Sequence, residues 1–295
     1  MAMHKDSIPL IDLSNLSIMD QTEVLLHRFG EYLEQHQKNL PHVHRHSFYH
    51  IVFFTEGAGT HTIDFENFTA QPFQVYFMIP GQVHSWNFQG QVDGYVVNFT
   101  DSFFHSFLHK PDYLDTFSFF SGVAREGVIN LASGDGEQVL ANFEKALAQY
   151  QSEQPLKWDM IRILLLELFI LIDQKKTLSL PQTLPHHHFI LLKNYQKLID
   201  KKYLTLRRPR EYADLLHITP SHLNAICQEQ TGQSAGELIR HRILLEAKRM
   251  LVNLDLSVTQ VGYLLNFNDN SYFIKFFKKQ VGLTPEDFRK MYSRT

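Results

Sequence analysis

The sequence predicts an α+β protein of two domains. An N-terminal antiparallel β-barrel with a helical pair precedes a C-terminal all-α domain with two helix-turn-helix motifs. Three observations predict it. Short runs rich in Val, Ile, Phe, Tyr and Thr recur between residues 49 and 99, separated by turn residues, as in a β-sandwich or barrel. From residue 138 onward the apolar spacing becomes that of helices. The charge divides in the same place: residues 186–295 carry 17 Lys+Arg against 10 Asp+Glu, or +7, which leaves 11 against 21, or −10, for residues 1–185. The basic half suits phosphate and the acidic half does not.

At 295 residues with 44% apolar side chains, each half can bury a normal core. The single cysteine, Cys227, allows no internal disulfide and fits a reducing compartment. The start, MAMHKDSIPL, lacks a signal peptide's apolar core. The longest apolar run, Ile161 to Ile172, is broken by Arg162 and Glu167 and is too short to span a bilayer. A cytoplasmic protein without membrane contact is expected. With no nucleophile–base–orienter pattern and no phosphate-binding glycine loop in sight, neither an enzyme nor a cofactor is expected.

Residues 1–20 form an arm without clear period, and Thr22–Gln37 reads as a strand followed by a short helix. Strands are expected over Tyr49–Thr55, Gly59–Ile63, Phe73–Met78, His84–Asn87 and Tyr95–Phe99. Turns fall at Glu56-Gly57, Asp64 to Asn67, Pro80-Gly81 and Gln91 to Gly94. Gln138–Gln151 and Trp158–Gln174 are helical patterns. The second is apolar on most of its surface, through Met160, Ile161, Leu164, Leu165, Leu168, Phe169 and Ile172, so it is either sandwiched in its own domain or packs on a second copy. A linker with Pro181 and Pro185 follows, and His186-His187-His188 within it reads as a solvated hinge. Phe189–Lys202 opens the helical domain.

That domain repeats one plan twice. In the first unit, a short helix around Tyr212 to Leu216 turns at His217-Ile218-Thr219. A second helix then starts with Thr219 as cap and Pro220 at its first position. Leu223, Ile226 and Cys227 face inward, Ser221, Asn224 and Ala225 outward, and Gly232 closes the helix. In the second unit, Val258 to Leu265 precede the turn Asn266 to Asp269. Phe273, Phe276 and Phe277 face inward, Asn270, Ser271, Lys275 and Lys278 outward, and Gly282 closes. Between the units, Ser234–Val252 is an unbroken helical pattern of about 28 Å at ~1.5 Å per residue, close to the ~34 Å between successive major-groove faces.

At Ser271-Tyr272-Phe273, Phe277-Lys278-Lys279, Gly282, Thr284-Pro285 and Phe288-Arg289, with Leu223, Thr231-Gly232, Ile239, Arg242, Ala247 and Leu251 upstream, the chain resembles the AraC/XylS family of bacterial transcription regulators. Asn266 stands where the family usually has Gly, and Asn also enters positive φ. Cys227-Gln228-Glu229 stands where an aromatic and two basic residues are common, which implies a weaker phosphate grip by the first unit. The resemblance implies base-facing roles for Ser221, His222, Asn224, Ala225, Asn270, Ser271 and Lys275. Thr219, Arg242, Lys278 and Lys279 are candidates for phosphate contact or orientation, and an internal salt bridge for Arg242 stays open beside that. It further implies double-stranded DNA and RNA polymerase as partners, and a homodimer through the 138–174 helices.

Upstream, His44-Arg45-His46, Gly57-Ala58-Gly59, Ile63-Asp64, Ile79-Pro80-Gly81 and His84 resemble the cupin-like effector domain found ahead of the DNA-binding part in many members. The domains implied are 1–175, cupin-like, for effector binding and dimerisation; 176–187, linker; and 188–295, DNA binding. His44, His46, Phe48, His50, His84 and Trp86 would line an aromatic, polar pocket for a small-molecule effector such as a sugar. Cupin metal centres resemble a His-x-His pair, a Glu a few residues on and a later His after Pro-Gly. The Glu slot falls near His50, where no carboxylate stands, so the histidines are expected to be structural or to contact ligand, without metal. The alternative is a cupin metalloenzyme with an appended DNA-binding domain.

Overall fold

The computed structural model describes residues 8–16, 23–36, 42–105, 107–110, 113–178, 186–252 and 256–293. The chain separates into two compact units, one spanning Pro9–Gln182 and the other containing Thr183–Thr295. Pro181 and Pro185 of the expected linker lie outside the described residues.

The first unit contains β1 (Leu10–Ile11), β2 (Val24–Arg28), α1 (Phe29–His36), β3 (Val43–His46), β4 (Tyr49–Ile63), β5 (Glu66–Ala70), β6 (Gln74–Met78), β7 (Val83–Phe99), α2 (Ser102–His105), β8 (Val128–Asn130), α3 (Ser133–Gln151) and α4 (Lys157–Leu178). Its sheet runs β1-β3-β7-β4-β6-β8, with β2 also on β7 and β5 also on β4. Every pairing is antiparallel except β1 with β3. Among the described residues the hydrogen-bonded path does not close, so the barrel is a curled mixed sheet.

The four short strands expected over residues 49–63 and 84–99 are two long ones. Glu56-Gly57 and Gln91 to Gly94 do not end their strands, because the β4–β7 ladder continues past them through register shifts between Phe54, Glu56 and Ala58. Glycines at positive φ absorb the resulting bend. Gly94 has φ +153, and a Cβ there would sit 1.9 Å from the Phe53 carbonyl oxygen. Bent in this way, the ribbon brings its far ends together. His50 pairs with Asn98 and Ile63 with His84, a separation of roughly 40 Å if flat at ~3.3 Å per residue, yet the His50 and His84 rings are 5.5 Å apart.

Strand parity decides what meets what. His50, Val52, Phe54, Tyr76, Met78 and Val96 point into the curl and pack with Phe29, Tyr32 and Phe48. Ile51, Phe53, Val75, Phe77, Tyr95, Val97 and Phe99 point to the other face, where α3 and α4 cover them. Of the two placements the sequence leaves open for α4, most of its apolar surface takes the first, sandwiched within its own unit. Ile161, Leu165, Leu168, Phe169 and Ile172 are fully buried and Leu164 nearly so, while Met160, Ile163 and Ile170 remain exposed. No helix among the described residues is long and apolar enough to cross a membrane.

The second unit is helical: α5 (His186–Lys202), α6 (Pro209–Leu215), α7 (Pro220–Thr231), α8 (Ala235–Leu251), α9 (Val258–Leu264), α10 (Asn270–Val281) and α11 (Pro285–Ser293). The histidine run read as a hinge is the first turn of α5. Tyr195 and Tyr212 pack edge to face at 5.4 Å, and the Tyr195 hydroxyl donates to the Ala235 carbonyl at 2.7 Å. Phe267, Phe273, Phe277 and Phe288 form an aromatic chain in the second half. Arg289 donates from Nε to the Leu251 carbonyl at 2.9 Å and from Nη2 to the Leu256 carbonyl at 2.6 Å, satisfying acceptors at the end of α8 and ahead of α9.

Candidate functional site

Two helix pairs, α6–α7 and α9–α10, each form a helix, a tight turn and a second helix. The turns hold non-glycine residues at positive φ, His217 at +55° and Asn266 at +59°. Asn266 is held there by its own side-chain amide, which donates to the Leu204 carbonyl at 2.9 Å. Both second helices are capped as their sequences require. The Thr219 hydroxyl accepts from the His222 N–H at 3.1 Å, and the Asp269 carboxylate accepts from the Ser271 N–H at 2.7 Å. Gly232 and Gly282 close them at φ +69° and +84°.

On α7, Leu223, Ile226 and Cys227 are buried, and burial pushes the Cys227 thiol up to about 12. Ser221, His222, Asn224 and Ala225 are exposed, as their base-facing assignment requires. The Asn224 Oδ1 already accepts from the Ala235 N–H at 3.1 Å, which ties up the acceptor half of a bidentate adenine contact. Glu229 pairs with His188 at 2.9 Å.

On α10, Phe273 and Phe277 are buried, while Ser271, Lys275, Lys278 and Lys279 are exposed. Asn270 departs from its expected outward place. At the helix's first position it falls on the stripe of Phe273 and Phe277, and its buried Oδ1 finds no partner among the described residues. Tyr272, 64% exposed beside Lys275, stands on the outer face in its stead. An aromatic on this helix reads as core, which hid it.

The 17 residues of α8 extend about 26 Å between the two pairs. On it, Arg242 has the internal role that the sequence left open. Its Nε donates to Asp200 and its Nη1 to Glu246, each at 2.9 Å, and its guanidinium lies over the Tyr203 ring at 4.3 Å. Those carboxylates raise its pKa against the opposing effect of burial.

In the first unit the predicted pocket residues do come together. His44 and His46 leave the inner face of β3, His50 and His84 those of β4 and β7, and all are 5% exposed or less. Ring centroids lie 4.3 Å apart for His44–His84, 4.7 Å for His46–His84 and 4.7 Å for His46–His50. Phe48 stacks on His46 at 4.5 Å. A fifth imidazole, His61, was missed: it contacts His84 Nδ1 through Nε2 at 3.1 Å and stacks on Trp86. Only the curl of β4 brings it there. Burial lowers His46, His61 and His84 well below the ordinary histidine range, and lowers His50 to about 3; the neighbouring imidazoles add to this.

His46 Nε2, His50 Nε2, His84 Nε2 and His61 Nδ1 are buried without a hydrogen-bond partner among the described residues. Each such group costs about 1–3 kcal/mol, a concentration that an ordinary core does not carry. A separate, open cleft of about 400 Å³ is lined by Asn67, Thr69, Gln71, Gln74, Arg125 and Asn130 among others. It contains none of the residues named from sequence.

Residues 29–169 match the AraC-like ligand binding domain, and residues 212–291 match a helix-turn-helix domain. An uncharacterized HTH-type transcriptional regulator of Escherichia coli, YijO, is 25% identical over 173 residues, 59% of each chain. The HTH-type transcriptional activator RhaS of Yersinia pestis is 24% identical over 260 residues, 83% of this chain and 88% of RhaS. A fatty-acid-bound ToxT of Vibrio cholerae superposes with TM-score 0.43 at 14% identity, over 95% of this chain and 99% of that one. With a ligand-binding domain and a helix-turn-helix domain matched in this order, the chain belongs to the AraC/XylS family of bacterial transcription regulators.

Proposed function

We propose that the protein is a cytoplasmic, sequence-specific DNA-binding regulator whose two recognition helices enter adjacent major grooves on one face of the duplex. The observation that carries this is the pair of like-built helix-turn-helix units separated by α8, whose length is close to one DNA turn. Ser221, His222 and Asn224 from α7, and Ser271, Tyr272 and Lys275 from α10, would meet base edges, with Ala225 offering a methyl contact. Lysine donates to guanine, and the free Asn224 amide can still donate to a base acceptor. Lys278 and Lys279 would contact phosphate; Thr219, as a cap, orients α7 toward it.

In this reading the N-terminal barrel takes a small effector among His44, His46, Phe48, His50, His84 and Trp86. A homodimer forms through the outer face of α4, where Met160, Ile163 and Ile170 are exposed, and RNA polymerase is the partner at the promoter. Effector binding shifts the population of DNA-competent states. The test is selection of genomic fragments with purified protein at fixed, moderate salt. Enrichment of a few sites with two half-motifs about one turn apart is expected. No enrichment over random DNA, with or without candidate effectors, overturns the reading.

A further inference from the structure

The geometry points to a divalent transition-metal site in the barrel, formed by His44, His46, His50 and His84, whose occupancy governs DNA binding. Ligand nitrogens of His44, His46 and His84 lie within 4.8 Å of one another. A tetrahedral set at ~2.1 Å from a metal needs about 3.4 Å between nitrogens, so small ring rotations close the site. His50 joins from the adjoining strand, its ring 4.7 Å from that of His46. The site is made of neutral imidazole alone, which suits zinc, copper, nickel or iron and disfavours magnesium and calcium.

The hydrogen bonds around the rings turn their lone pairs inward. Asn98 Oδ1, 2.6 Å from His50 Nδ1, can only accept, so Nδ1 carries the proton and the unpartnered Nε2 is a lone pair. The contact between His84 Nδ1 and His61 Nε2 does the same for His84 when Nδ1 donates. Asn98 and His61 are thus positioning residues, as outer partners of metal-bound histidines commonly are. An all-neutral ligand set leaves the ion's full charge inside the barrel, a large local perturbation. The regulatory half of the proposal rests on the DNA-binding reading; the site itself does not.

The test uses the full chain without an affinity tag. After chelation it is dialysed against Zn²⁺, Ni²⁺ or Co²⁺ singly, and bound metal and the Co²⁺ ligand-field spectrum are measured. One ion per chain is expected, with a nitrogen-only spectrum. It should be lost in His44→Ala and His84→Asn and retained when His186, His187 and His188 are all changed to Gln. Asn98→Ala keeps every proposed ligand and should weaken affinity about 10- to 100-fold. Circular dichroism identifies variants that fail to fold, and Asn98→Ala and His50→Gln then carry the decision. No stoichiometric ion, or an ion lost only with the 186–188 run, overturns the site. A bound ion that leaves affinity for a selected duplex unchanged overturns its regulatory role. Absence of specific DNA binding with and without metal overturns the regulator reading instead, while the metal content still decides the site.

Discussion

Replacing Arg242 with Gln separates an internal cation from one that meets DNA. Each phosphate contact contributes about 0.9 to the slope of log K against log salt. Between 50 and 200 mM salt, one contact therefore accounts for about a 3.5-fold change in affinity. Lys278→Gln and Lys279→Gln should each lower the slope by nearly that unit, because both side chains are exposed on α10. Arg242→Gln should leave it unchanged, because the guanidinium is already engaged by Asp200, Glu246 and the Tyr203 ring. Its effect should fall on stability. The Glu246 bond is largely shielded, whereas Asp200 is 37% exposed and counts for less. Together with the ring contact, the loss is about 2 kcal/mol. Fluorescence anisotropy on a selected duplex across a salt series gives the slope, and urea unfolding followed by circular dichroism gives the stability. A fall in slope for Arg242→Gln matching that of Lys278→Gln would show that the guanidinium reaches the backbone, and the internal assignment would be wrong.

Lys275→Ala should weaken binding to the selected site by about 1–3 kcal/mol and relax preference at one base position; equal losses on all sequences would make it a phosphate contact. The combined change Ile163→Asp and Ile170→Asp should convert a dimer to a monomer in analytical ultracentrifugation with the fold retained, and a persistent dimer would move the interface elsewhere. Metal-free protein should be acid-sensitive. His50 is held down to about 3, and His46, His61 and His84 are also lowered. The unfolded chain therefore binds more protons below about 6.5, and stability falls as pH drops from there toward the folded values. For His50 this amounts to about 1.2 kcal/mol between pH 7 and pH 5.5, and the other three act in the same direction. Both tryptophans, Trp86 and Trp158, belong to the first unit, so their fluorescence in urea at pH 7 and 5.5 reports it; coincident midpoints would mean that the rings protonate without unfolding.

Much of the DNA-binding unit was legible because its signals are local. Thr219 and Asp269 cap helices within three residues of themselves, and Gly232 and Gly282 end helices one turn from their own carbonyl partners. The burial of Phe273 and Phe277 follows from helical spacing alone. Asn270 is half-buried rather than fully outward, because the first position of a helix lies between two faces. Barrel residues were legible as strand formers, but not which of them meet. The parity that sends His50 inward is local, whereas the approach of His61 and His50 to His84 depends on bulges that read as turns. For α4, a helix apolar on most of its surface does not say which stripe its own sheet will cover.

The curled β4–β7 ribbon has a mechanical consequence. Backbone hydrogen bonds run along its length, yet its distant ends are joined where His50 and Asn98 approach His61 and His84. Side chains act there as a clasp on a spring whose stiffness lies in the ladder. A force on the clasp acts with the leverage of the whole ribbon, and the opposite face of that ribbon, from Tyr95 to Phe99, rests on the α3–α4 layer.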